Sequence, residues 1–312
     1  NVYAKINHQF DDQFSSYFDL QYRAISYTAD GNLKGPELIA VNEDYSFFNP
    51  KAGIVFNLNK KNKFYLSYAR ANREPSRGDF EEGNPQHEEL NDFELGWRFT
   101  GEKSSFLVNV YLMDYTNQLV LTGALNDVGT PVRENVGNSS RFGIELDGNF
   151  TLSSQWTWQP NLTLSSNRNH DYYFERDGKL TDLGNTYLSF SPAVVAGNII
   201  NYQPKSNWKL ALLTKHVGEQ YMGNIDSDNS KLSAYTISDL NIVYQIPPMG
   251  IFKSLNISLL VNNIFDIKYV SNGYFYTFDD DYSEPGKITT IEGSGFYPQA
   301  GINFLLGLNV KF

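Results

Sequence analysis

Apolar and polar residues alternate with a period of two along most of this chain, most cleanly at its end. From 300 to 312, Ile302, Phe304, Leu306, Leu308, Val310 and Phe312 are apolar, while Gly301, Asn303, Gly307, Asn309 and Lys311 are small or polar; Leu305 is the exception. Such a period puts the two sets on opposite faces of a strand, so the strand meets two different solvents. The pattern recurs with Phe18, Leu20, Tyr22 and Ala24 against Asp19, Gln21 and Arg23. It recurs again with Phe93, Leu95, Trp97 and Phe99 against Glu94, Gly96 and Arg98, and with Phe142, Ile144, Leu146 and Phe150 against Glu145, Asp147 and Asn149. Strands are predicted at 2–10, 16–28, 48–58, 64–72, 90–100, 106–112, 141–152, 156–167, 187–202, 208–217, 231–246, 255–267 and 300–312. These make about thirteen strands of roughly 9 to 17 residues, long enough to cross a bilayer core at a barrel tilt.

Short turns and long loops alternate between these strands. Turns fall at 11–13, 59–62, 101–103, 153–154, 203–206 and 247–250, and long hydrophilic loops at 29–44, 73–89 and 119–135. All four tryptophans collect beside the short turns: Trp97 before 101, Trp156 and Trp158 after 154, Trp208 after 206. They read as one membrane-interface belt, the alternative being four tryptophans of a sandwich core. Short turns of outer-membrane barrels are periplasmic, so the long loops are expected outside the cell and the C-terminus in the periplasm. A basic residue on the lipid face costs about 2–4 kcal/mol at the bilayer midplane, and an acidic one somewhat less. Arg23, Lys51, Glu94, Arg98, Glu145, Asp147 and Asp239 are therefore expected to line an aqueous lumen or face whatever fills it. An odd strand count ending in the periplasm puts Asn1 outside, whereas single-chain bacterial barrels have even counts. The expectation is one domain over 1–312, incomplete at its N-terminus, with unpaired edges at membrane depth that other sequence must complete.

Composition agrees with this architecture. Aromatics make up 15% of the 312 residues, with 21 Tyr and 22 Phe against 3 Met, a bias towards strand formers. Mean hydropathy is −0.42 and no run of 18 apolar residues exists; a β-barrel tolerates both, because only alternate strand residues meet lipid. The absence of cysteine suits an exported bacterial protein and also a reducing compartment. A net charge of −10 argues against nucleic acid as a partner. The start Asn1-Val-Tyr-Ala-Lys has no signal-peptide features, so an upstream segment is expected to have been removed.

Three stretches carry a family resemblance. Ser67-Tyr-Ala-Arg-Ala-Asn-Arg-Glu-Pro-Ser76 is followed by Gly83-Asn-Pro85 and Glu89-Leu-Asn-Asp-Phe-Glu-Leu-Gly96. Val261-Asn-Asn-Ile-Phe-Asp-Ile-Lys-Tyr-Val-Ser-Asn-Gly-Tyr274 comes later, and Phe312 closes the chain as a barrel-assembly signal does. In this combination the chain resembles the barrel of TonB-dependent outer-membrane receptors, in a style similar to those of Bacteroidota. The resemblance implies an all-β transmembrane antiparallel barrel of about 22 strands, of which this chain supplies the C-terminal thirteen. Neither the plug nor the TonB-binding segment is visible in the 312 residues. It further implies active import of a scarce, large ligand such as a ferric siderophore, haem, cobalamin or a glycan, with no cofactor. Implied partners are outer-membrane lipid, the plug and N-terminal strands of the same receptor, the TonB system and a surface lipoprotein.

Candidate ligand residues lie in the long loops. Arg73, Glu74 and Arg77 are candidates for contacts with an anionic ligand or the plug, or are salt-bridged wall residues. His87 is a candidate haem ligand on the family resemblance, or a solvated loop histidine; it follows the Asn-Pro pair, whereas the haem-type histidine precedes it. Tyr274, Phe275 and Tyr276, with Phe278, form either a stacking platform or loop packing. Asp279, Asp280 and Asp281 could offer oxygen ligands to a divalent cation, or are simply hydrated. Catalytic signals are missing: no Gly-flanked nucleophilic serine, metal-spaced histidine pair or phosphate loop occurs, so no enzyme is expected. A passive porin and a structural or adhesive barrel are the alternatives to an importer.

Overall fold

The computed structural model describes residues 1–32, 38–81, 83–125 and 131–311. Thirteen strands form one antiparallel sheet in which each pairs with its successor among them. They are β1 (Val2–Gln9), β2 (Phe14–Asn32), β3 (Leu38–Asn57), β4 (Asn62–Arg73), β5 (Glu88–Thr100), β6 (Ser104–Thr116), β7 (Asn138–Thr151), β8 (Trp156–His170), β9 (Val194–Tyr202), β10 (Trp208–Val217), β11 (Tyr235–Ile246), β12 (Ser254–Asn262) and β13 (Asn303–Lys311). The sheet does not close: among the described residues β1 pairs only with β2, and β13 only with β12. No helix of the described residues is long and apolar enough to cross a membrane.

Register turns the alternation of each strand into a two-faced wall. Ile54, Leu66, Leu95, Val110, Ile144, Leu164 and Val194 stand opposite one another in one row across β3 to β9. One step away lie Ser67, Glu94, Tyr111, Gly143 and Ser165. A one-residue slip in any pairing would exchange the faces, so the apolar pattern fixes the register. The apolar row is open to its surroundings, with Ile54 52%, Leu66 56% and Leu95 54% exposed. Soluble monomers rarely show an apolar surface of that extent; a bilayer supplies the missing contacts.

The turns are built from side chains that mimic backbone acceptors. Asp11 Oδ1 accepts from the amides of Gln13 and Phe14, Asn59 Oδ1 from Lys61 and Asn62, and Ser153 Oγ from Gln155 and Trp156. On the polar face, tyrosines lie flat over glycines directly opposite: Tyr17 on Gly53, Tyr65 on Gly96, Tyr111 on Gly143. A side chain at these glycines would occupy the ring's place.

At the loop end the structure departs from the predicted boundaries. Residues 29–32 and 38–44, read as loop, are strand, because Ile39, Val41, Tyr45 and Phe47 keep the period through the charged interruptions. The loop 119–135 contains a hairpin, Leu119–Leu125 with Pro131–Asn135, and the loop 73–89 contains a short helix, Arg77–Glu81. The predicted strand 187–202 is two pieces, since Phe190 has a positive φ of 50° and Pro192 follows; only Thr186–Tyr187 pairs ahead of that bend, with β8. Likewise β12 ends at Asn262, because Asn263 and Asp266 have φ of 49° and 51°. Finally, Tyr274 to Phe278 lie on a strand of a long hairpin between β12 and β13, Val270–Asp280 with Thr289–Pro298.

Candidate functional site

The loop between β4 and β5 folds back onto the polar face of β2 and β3. Glu74 accepts two hydrogen bonds from the Arg23 guanidinium, at 2.9 and 3.1 Å, and Arg23 also reaches the carbonyl of Asn72. Behind that pair run Asn72, Asn49 and Gln21 in a chain of amide bonds. Phe80 of the short helix stacks on Tyr27 at 5.4 Å. His87 packs against Phe47 at 5.1 Å and Tyr45 at 6.1 Å. The strap is tied outward as well: the carboxylate of Asp79, buried and also capping Ser76, meets Arg133 at 3.0 Å. The side-chain amide of Asn135 accepts from the Gln86 backbone N–H and donates to the Gln86 carbonyl.

Four further loops meet in one buried cluster. Val120, Tyr172, Leu188, Met222, Ile225, Leu232 and Phe275 pack together, drawn from the loops after β6, β8, β10 and β12. Asn224 crosses between them, its amide donating to the carbonyl of Leu121 and its oxygen accepting from Asn169 and the Ser189 amide. The hairpin between β12 and β13 is clasped by Glu292, which accepts from Arg176 at 2.7 Å, from Asn229 at 3.0 Å and from Ser227. Burial pushes the Glu292 carboxyl up, but hydrogen bonds from Ser227, Arg176 and Asn229, with the Arg176 charge, carry it below its ordinary value. Asp177 and Thr290 exchange hydrogen bonds at 2.7 and 2.8 Å on the same face. Burial, aided by the charge of Glu134, pushes the Tyr172 hydroxyl up to about 12. Burial likewise raises Asp226, although the Tyr187 amide donates to it.

Arg73 pairs with Glu88 across the strands and Arg77 with Glu81 along the helix, so both guanidinia are already engaged. Phe275 faces the buried cluster, whereas Tyr274, Tyr276 and Phe278 face the other way in a stacked row, with Gly295 and Gly293 beneath the two tyrosines. Asp279 accepts from Thr290, and Asp280 caps the turn through the amides of Tyr282 and Ser283. Among the described residues no His, Cys, Asp or Glu group is clustered closely enough to hold a metal ion. Lys51 and Arg23 stand opposite Asp19 and Phe47, Glu94 opposite Tyr111, Arg98 opposite Lys63, Glu145 opposite Asn109, Asp147 opposite Asn161 and Asp239 opposite Leu213, all on the polar face. Trp97, Trp156, Trp158 and Trp208 share the apolar face beside the short turns, stacked or tilted on Phe64, Tyr202, Phe150 and Tyr244. Phe312 lies outside the described residues. Sequence reading missed the buried cluster and the Glu292 clasp, whose members are scattered from Val120 to Glu292 with no periodic signal joining them.

The family model described as "TonB dependent receptor-like, beta-barrel" matches residues 1–264. Among solved structures, the ferric-catecholate import receptor Fiu from E. coli K12 superposes with a TM-score of 0.71 at 16% identity, over 99% of this chain and 44% of that one. The siderophore receptor PiuA from Acinetobacter baumannii gives 0.74 at 17% identity, over 99% and 42%. The copper transporter OprC gives 0.74 at 16% identity, over 99% and 47%. The chain thus spans less than half the length of these structures, and at such identities the likeness is one of fold.

Proposed function

The chain belongs to the TonB-dependent receptor-like β-barrel family, and from that premise we propose that it forms the C-terminal wall and outer loops of an energised outer-membrane importer. The observation that carries this reading is the open, apolar outer face of a thirteen-strand wall whose opposite face holds Glu94, Arg98, Glu145 and Asp239. Lipid satisfies the first face; a plug and water satisfy the second. Trp97, Trp156, Trp158 and Trp208 then mark the periplasmic interface, the loop cluster lies outside the cell, and Phe312 serves assembly. The chain catalyses no reaction: the loops capture a scarce ligand, and force transmitted through the plug by the TonB system opens its path. Fiu, PiuA and OprC are described as receptors or transporters for ferric catecholates, siderophores and copper, which supports a metal complex as the general cargo.

Full-length receptor reconstituted in a planar bilayer tests this. A plugged importer is expected to be nearly silent; steady ohmic conductance would assign a passive pore and overturn the reading.

A further inference from the structure

Between the outer hairpins lies a cleft of about 390 Å³ whose lining includes Glu134, Glu175 and Asp279 together with Tyr173, Phe174 and Phe278. The carboxylates come from three different loops and no lysine or arginine lines the space. Arg176, next in sequence to Glu175, is held by Glu292, its guanidinium 5.7 Å from the centre of the Phe174 ring. Asp279 is oriented by Thr290, whereas Glu134 and Glu175 make no side-chain hydrogen bond to another described residue. Tyr172 also lines the cleft, only 4% exposed, and its hydroxyl has no hydrogen-bond partner among the described residues. A hydroxyl without a protein partner on the wall of a cleft is free to bond whatever fills it. Exposed aromatic surface stands around it: Tyr173 is 54% and Phe278 46% exposed, and Phe278 ends the stacked row from Tyr274.

We propose that this cleft binds an organic ammonium group carried on an apolar or aryl frame, as the part of the imported ligand that the outer loops recognise. The inference rests on the import reading for its biological role but on the cleft alone for its chemistry. Carboxylates spread around aromatic faces suit a diffuse organic cation, which gains from the ring quadrupoles as well as from charge. A bare divalent ion needs several oxygens converging at short range, and no such group exists among the described residues. An anion would meet three carboxylates with no lysine or arginine among the lining residues, the nearby Arg176 being paired with Glu292. The Tyr172 hydroxyl is placed to bond a polar atom next to the ammonium.

The test uses full-length receptor in detergent micelles and three probes with one frame: 2-phenylethylammonium, neutral 2-phenylethanol and anionic 3-phenylpropionate, read by saturation-transfer NMR. Only the ammonium is expected to bind competitively and saturably. Glu134→Gln with Glu175→Gln, isosteric and without lost hydrogen bonds, should weaken it about tenfold, the scale of two partly exposed charge contacts. A second variant, Phe278→Ala, should also weaken it. Equal binding of the neutral alcohol, or an affinity unchanged in both variants, overturns the proposal. Because no energised transport enters the assay, a conductance result that removed the import reading would leave this outcome standing.

Discussion

At the scale of single residues, two kinds of contact decide more than their size suggests. Gly96 sits under the Tyr65 ring, and a Cβ there would lie 2.0 Å from Tyr65 Cε1. Gly96→Val therefore forces the ring off the wall, and overpacking of this kind costs about 1–3 kcal/mol; the urea midpoint of the folded barrel should fall, while Tyr65→Ala in the same background should recover part of the loss. An unchanged midpoint for Gly96→Val would mean the ring has room to move. Glu292 is the second case. Its folded pKa lies below the ordinary 4.5, so its stabilisation is complete above that value and is lost as pH falls through the lower, folded value. The hairpin should therefore stay clasped at neutral pH and loosen in acid. Amide-exchange protection of 289–292, corrected for intrinsic rate, should drop below about pH 4.5 in the wild type, and Glu292→Gln should show weak protection at every pH. Equal protection of wild type and variant at pH 7 would remove Glu292 from the clasp. Neither contact was legible in the sequence, because each joins residues that only the register or the loop fold brings together.

Individual elements were more legible, and the reason is periodicity. All thirteen wall strands were predicted, since a strand with one face in lipid must keep its alternation over about ten residues. Boundaries failed where that constraint ends. Beyond the bilayer, β2 and β3 carry Asp30, Glu43 and Asp44 without leaving the sheet, because water accepts charge on either face. Positive-φ residues such as Phe190 and Asn263 broke predicted strands with no glycine to announce them. The two faces make a direct test possible. Leu95→Arg, in the middle of the apolar row, should cost about 2–4 kcal/mol. Thr163→Arg, on the polar face opposite Glu145, should stay within about 0.5 kcal/mol. Urea titration of heat-modifiable receptor in membranes measures both; equal losses would contradict the assignment of the faces.

For the whole molecule, strand count and family resemblance were readable, while the joining of the outer loops was not. Val120, Tyr172, Met222 and Phe275 lie in four loops on four different pairs of wall strands, yet share one cluster. Asp79 with Arg133, and Gln86 with Asn135, add the strap over β2 and β3. Five loops are thus linked by packing and hydrogen bonds into one assembly at the end of the wall opposite the short turns. Loops so joined cannot open singly without exposing cluster side chains and orphaning Asn224 and Glu292, so a passage to the polar face is expected to open by collective displacement. The paired hydrogen bonds between Asp177 and Thr290 mark the place to lock it. These 312 residues contain no cysteine, so Asp177→Cys with Thr290→Cys adds one pair to them at positions where each residue's side-chain oxygen meets the other's amide. In a strain whose growth depends on this receptor, oxidised double-cysteine protein should import poorly, and reduction should restore the rate; each single variant should import as the parent does. Full import by oxidised receptor, with the disulfide verified by mass spectrometry, would show that ligand passes without moving the clasped hairpin.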